Sequence, residues 1–163
     1  MKRLLTILVV LLSTAVISAA QPFLRLPSII GDHMVLQESS EVKIFGWCDP
    51  NVNVTVQTSW GETVKIKSAY DSEWSVTLHT PAATAEPATI TITTGKKVTK
   101  TIEDILIGQV WLCSGQSNMN WSAANGIVDM KEELTDDMPQ QIRLFTVPKC
   151  ANSYKQMDVE GKW

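Results

Sequence analysis

The chain has 163 residues, a formal net charge of −3 and a composition that is 44% hydrophobic and 19% charged. That length holds one ordinary domain, or one small domain and part of another. The charges are scattered and form no basic stripe, which argues against nucleic acid or an anionic membrane as a partner.

Lys2 and Arg3 open the chain ahead of an apolar run over residues 4–17, and Ser18-Ala19-Ala20 supplies the small residues a signal peptidase reads. The run is shorter than the ~20 residues that span a bilayer, and no later stretch is long and apolar enough to do so. Residues 1–20 therefore read as a signal peptide. Export to the periplasm or the extracellular space is expected, with no membrane attachment after cleavage.

Residues 21–103 follow a period of two. Val52, Val54 and Val56 alternate with Asn51, Asn53, Thr55 and Gln57, and Trp74, Val76 and Leu78 alternate with Ser75 and Thr77. Ile90 and Ile92 sit between threonines, and Val98, Lys100 and Ile102 close the series. Such alternation buries one face of a strand and wets the other. Turn residues fall between the runs at Asp49-Pro50-Asn51, Trp60-Gly61-Glu62, Tyr70-Asp71-Ser72, Glu86-Pro87 and Gly95-Lys96. Short strands at this spacing predict an antiparallel β-sandwich over residues 21–103.

The pattern changes at Asp104. Residues 105–113 are nearly continuous apolar sequence, which fits a strand covered on both faces, as in a parallel sheet. Ile127, Met130 and Leu134 then repeat at helical spacing, Met138-Pro139 stops the helix, and residues 142–147 read as a further short strand. Strand, turn, helix, strand opens a βαβ unit. Residues 104–163 are thus expected to be the start of an α/β domain that needs more strands than these to be complete.

Cys48, Cys113 and Cys150 are an odd number for an exported chain, with no C-x-x-C spacing to suggest a metal. They read as small buried apolar side chains, with one bridged pair left open. No metal or organic cofactor is implied.

The candidate for chemistry is Ser114-Gly115-Gln116-Ser117-Asn118-Met119, between the apolar strand and the helix. A serine at that junction presents its hydroxyl at the carboxyl end of a strand. Its own N–H stands where backbone donors favour a developing oxyanion. Gly115 permits a tight turn and close substrate approach. Gln116 and Asn118 flank the serine with amides able to brace the turn. The generic nucleophile elbow, G-x-S-x-G, is not met, because Met119 stands at its last position, and on the generic pattern a serine there is more often just a helix N-cap than a nucleophile. His33 and His79 both fall in the β-region and read as solvated or structurally bonded rather than as a catalytic base. Trp74 and Trp111 read as core. Trp121 is the tryptophan placed nearest a pocket.

Several stretches together resemble the sialate O-acetylesterase family of SGNH-type hydrolases. They are Leu26-Pro27, Asp32-His33-Met34-Val35-Leu36-Gln37, residues 42–46, residues 104–119, Gln141-Ile142-Arg143-Leu144-Phe145, Val147-Pro148 and Gly161-Lys162-Trp163. The resemblance implies a β-sandwich followed by, or packed on, an α/β/α hydrolase domain of which this chain carries only the beginning. It implies a carbohydrate O-acetylesterase without cofactors, acting on O-acetylated sugars such as sialic acids. It makes Ser117 the nucleophile and one oxyanion donor, with Gly115, Gln116 and Asn118 supporting the turn. The family's aspartate–histidine pair and remaining oxyanion donors match nothing in these residues, so the chain alone is expected to be inactive. The rival readings are an acetylxylan or other polysaccharide acetylesterase, and a non-catalytic glycan-binding sandwich module.

Overall fold

The computed structural model describes residues 21–95, 98–121 and 141–163. The expected signal peptide at residues 1–20 and the expected helix around Ile127, Met130 and Leu134 lie outside the described residues. The described chain is built from strands β1 (Leu24–Arg25), β2 (Val35–Gln37), β3 (Glu41–Cys48), β4 (Asn53–Thr58), β5 (Thr63–Lys67), β6 (Glu73–His79), β7 (Thr84–Thr94) and β8 (Thr99–Gly108). They form a three-stranded sheet, β1-β3-β6, and a five-stranded sheet, β2-β8-β7-β4-β5. Every pairing is antiparallel except β2 with β8.

The period-two residues build the core. Trp74, Val76 and Leu78 of β6 and Ile44 and Cys48 of β3 face inward from the small sheet, against Val54, Val56, Ile90, Ile92, Ile102, Ile105 and Ile107 of the large one. Each fully buried aliphatic side chain contributes roughly 1.5–3 kcal/mol of transfer free energy, so this interior holds the fold. Gly46 on β3 is required by space: a Cβ there would run into the Arg25 carbonyl oxygen of β1 and approach Leu26 Cδ2 to 3.0 Å.

Two expectations fail inside β7 and β8. Glu86-Pro87 is not a turn between strands but part of β7. It occupies an irregularity, where β7 advances four residues (Thr84 to Ala88) while β8 advances two (Ile107 to Ile105). Proline is tolerated there because a bulge asks for no ladder N–H. The expected boundary at 103/104 is crossed by β8, which runs on to Gly108 in the same sheet. Between the pairs Ala88↔Ile105 and Ile90↔Ile102, β8 spends three residues against two, one residue extra. This bulge at Glu103-Asp104 breaks the alternation, with Asp104 at φ 55°. It returns Ile105 and Ile107 to the same core face as Ile102.

The apolar run is buried at Ile105, Leu106 and Ile107, between β2 and β7, and no further. Past Gly108 the chain leaves the sheet. Trp111 and Leu112 are 80% and 94% exposed, so Trp111 is not the core residue its strand position implied. Residues 142–147 form no strand either, having no ladder partner among the described residues. Of the cysteines only Cys48 is buried, its thiol pushed up in pKa chiefly by burial. Cys113 and Cys150 lie in the stretches that left the sandwich and are exposed, and all three are free thiols.

Residues 141–163 return to the sandwich through side chains. Asp158 accepts from the Ser28 N–H at 2.9 Å and lies 3.7 Å from the Arg25 guanidinium. The Trp163 indole N–H donates to the Ile29 carbonyl at 2.9 Å, and its ring packs on Phe145 at 5.3 Å between centroids.

Candidate active site

Ser117 opens a single 3₁₀ turn, Ser117–Asn120, nine residues beyond the last residue of β8 rather than directly on it. The turn is closed by Met119 N–H to Gln116 O at 2.9 Å and Trp121 N–H to Asn118 O at 3.2 Å. A Cβ at Gly115 would stand 2.8 Å from Cγ of the exposed Met119 side chain, so glycine leaves room for that side chain beside the turn. The stretch from Trp111 to Met119 is exposed throughout, Ser117 included, and Trp121 is exposed as well. Gln116 enters the turn in extended conformation without a side-chain cap. Gln116 and Asn118 therefore close the turn through their main-chain carbonyls, and the amide braces expected of their side chains are not formed among the described residues.

The path from core to serine is set by β2. Its ladder with β8 continues one residue past the end of β2, with Glu38 N–H donating to Gly108 O at 2.8 Å. The Gln37 side chain then accepts from the Val110 N–H at 2.9 Å. That amide fixes the direction in which residues 109–116 leave the sheet.

Neither histidine reaches Ser117 by a hydrogen bond. His33, at φ 67° in the turn before β2, places Nδ1 2.6 Å from Asp104 Oδ2. Arg143 donates to the Asp104 carbonyl oxygen and, at 2.9 Å, to its Oδ1. Hydrogen bonding to His33, then to Arg143, holds the Asp104 carboxyl below its usual range. The bulge directs Asp104 to this position, and its spare main-chain groups are used: Glu103 N–H donates to Asp32 Oδ1 at 2.8 Å and His33 N–H to Glu103 O at 3.1 Å. His79, at the end of β6, sits between Glu62 at 3.1 Å and Glu41 at 3.4 Å. The bond to Glu62 raises its pKa. Both imidazoles are bonded to carboxylates of the sandwich, which agrees with their reading as structural.

Sequence reasoning missed the joint formed by His33, Asp104 and Arg143 and the role of Gln37. A signal was present, since all four residues fall in the stretches that carried the resemblance.

No family model matches the chain. Among curated proteins it is similar to the sialate O-acetylesterase of Mus musculus, 36% identical over 132 residues, covering 76% of this chain and 24% of the relative. The sialate O-acetylesterase of Rattus norvegicus is 31% identical over 146 residues, covering 84% and 27%. Among solved structures it is similar to a carbohydrate acetylesterase from Xanthomonas citri, with a TM-score of 0.77 and 28% identity, covering 86% of this chain and 32% of that one. The sequence and structure comparisons lead to one class, the carbohydrate acetylesterases. Within it, the chain belongs to the sialate O-acetylesterase family. It spans about a quarter of the length of the curated relatives it matches.

Proposed function

We propose that this chain is the sandwich and nucleophile-bearing part of an exported carbohydrate O-acetylesterase, with O-acetylated sialic acids or related glycans as substrates. The observation that carries the reading is Ser117 on an exposed turn within Ser114-Gly115-Gln116-Ser117-Asn118-Met119, in a chain of this family. Ser117 attacks the acetyl carbonyl, the sugar hydroxyl leaves, and water then releases acetate from the acetyl-serine. The serine belongs to an SGNH-type α/β/α domain that begins after the sandwich. Export rests on the charged start, apolar run and small residues of positions 2–20.

A serine hydroxyl needs a base to take its proton, and the two histidines of this chain are bonded to Asp104 and Glu62. The chain by itself is therefore proposed to be inactive. Loss of triad partners in serine hydrolases costs ~10⁴ to 10⁶ in turnover. Acetate release from an O-acetylated sialic acid tests this with three proteins: this chain, this chain joined to the downstream part of the Xanthomonas citri relative, and the joined protein carrying Ser117→Ala. Activity in the second alone is expected. Turnover by the short chain, or turnover surviving Ser117→Ala, overturns the reading.

A further inference from the structure

Alternation along β3 sends Lys43, Phe45 and Trp47 to the face of the small sheet away from the core. They stand opposite Thr77, Ser75 and Glu73 of β6. With Lys67 at the end of β5 and Met157 of the returning segment, Lys43, Phe45, Trp47, Ser75 and Glu73 line a groove of about 500 Å³. It shares no lining residue with the turn that carries Ser117.

Two features give the groove a chemical preference. One is an aromatic wall: Phe45 and Trp47 meet edge to face at 6.1 Å, and the Arg25 guanidinium, 3.9 Å from the Trp47 ring centroid, holds the indole in place. Rings fixed in this way suit the C–H face of a pyranose, because stacking then costs little side-chain entropy. The other is charge. Lys43 and Lys67 line the groove without an ion pair to any described residue, in a chain whose net charge is −3. Two ammonium groups against the one carboxylate of Glu73 favour an anionic ligand. Glu73 and Ser75 supply acceptors for sugar hydroxyls.

We propose that this groove binds an acidic sugar residue, its carboxylate toward Lys43 and Lys67 and its ring against Phe45 and Trp47. The choice of a sugar as the ligand rests on the carbohydrate-esterase reading; the preference for an acidic one rests on the groove. An apolar peptide would have to desolvate both ammonium groups without repayment.

The test is an amide NMR titration of the chain with the methyl glycoside of N-acetylneuraminic acid, against methyl β-galactoside as the neutral control. The expected result is saturable shifts at residues 43–47 and 73–75, with affinity on the order of millimolar. Binding should be about tenfold weaker for the neutral sugar and for Lys43→Glu/Lys67→Glu. Both lysines face outward, and an unchanged spectrum away from the groove verifies that the variant folds. Phe45→Ser, at a ring half-buried against the core cluster, should weaken both sugars alike, with its spectrum away from the groove again verifying the fold. Equal affinity for the two sugars, shifts confined to residues 114–119, no saturable shift, or shifts that track protein concentration alone (a second copy filling the groove) would each overturn the proposal. The probe carries no acetyl ester, so this outcome does not depend on whether Ser117 is a nucleophile.

Discussion

Asp104 Oδ2 lies 2.6 Å from His33 Nδ1, and the two residues share left-handed backbone, at φ 55° and 67°. Non-glycine residues hold such conformations when surrounding contacts over-determine them. Here the contacts come from both sides, because Arg143 grips the same carboxylate that His33 does. One carboxylate thus joins the turn before β2, the bulge of β8 and the segment that follows the serine turn.

Acid should loosen this joint. The Asp104 carboxyl is held below its usual range, so its contribution to stability is present above the ordinary carboxylate pKa and is lost as pH falls through the lowered folded value. Asp104→Asn should lower Tm at pH 7, and the gap to the parent chain should close toward pH 3. Melting curves over that interval check it, and a gap independent of pH contradicts it.

The titration of His79 runs the other way. Its pKa is raised by Glu62 first and Glu41 after it, so the stability it contributes is complete below the ordinary histidine value and fades as pH rises through the raised one. Burial pushes the Glu62 carboxyl up, but its bonds to the His79 backbone N–H and imidazole outweigh that and leave it lowered. Following the imidazole protons of His79 by NMR, Glu62→Gln should bring the midpoint down toward the normal range. An unchanged midpoint would mean that Glu62 is not its main partner.

The continuous apolar run should divide sharply in energetic terms. Ile105 is fully buried, so Ile105→Ala should cost ~2–5 kcal/mol. Leu112 is exposed, so Leu112→Ala should stay within about 0.5 kcal/mol. Denaturant unfolding of the two variants gives both numbers, and similar losses would mean that the strand continues beyond Gly108.

Close approach of β1 to β3 makes a second quantitative prediction. Gly46→Ala forces a methyl group toward the Arg25 carbonyl, a backbone atom that cannot rotate away. A loss of roughly 1–3 kcal/mol is expected, as for other overpacked interiors. A neutral effect by thermal melting would show that β1 is free to shift.

The sandwich was legible wherever alternation is unbroken. Val54 and Val56, Trp74 to Leu78, and Ile90 and Ile92 all face the core as their spacing implied. Legibility stopped at Glu103-Asp104, because one inserted residue shifts the period by one and imitates a change of domain. Beyond it, the apolar residues 109–113 carry the composition of a buried strand, but composition does not supply the neighbours a strand pairs with. The candidate site was legible as a motif and not as geometry. Ser117 could be singled out, whereas Gln37 meets Val110 across 73 positions of sequence and the Asp104–Arg143 contact spans 39, distances that no local pattern encodes.

An acetyl group carried by Ser117 can be trapped as the acetyl-enzyme. The chain joined to the downstream part of the Xanthomonas citri relative would be mixed with an O-acetylated sialic acid, quenched in acid within one turnover, digested and read by peptide mass spectrometry. One acetyl group is expected on the peptide that contains Ser114 and Ser117, localised to Ser117 by fragmentation and absent from Ser117→Ala. Acetyl on Ser114 or elsewhere, or acetate release with Ser117 never labelled and the Ser117→Ala protein still active, would contradict it.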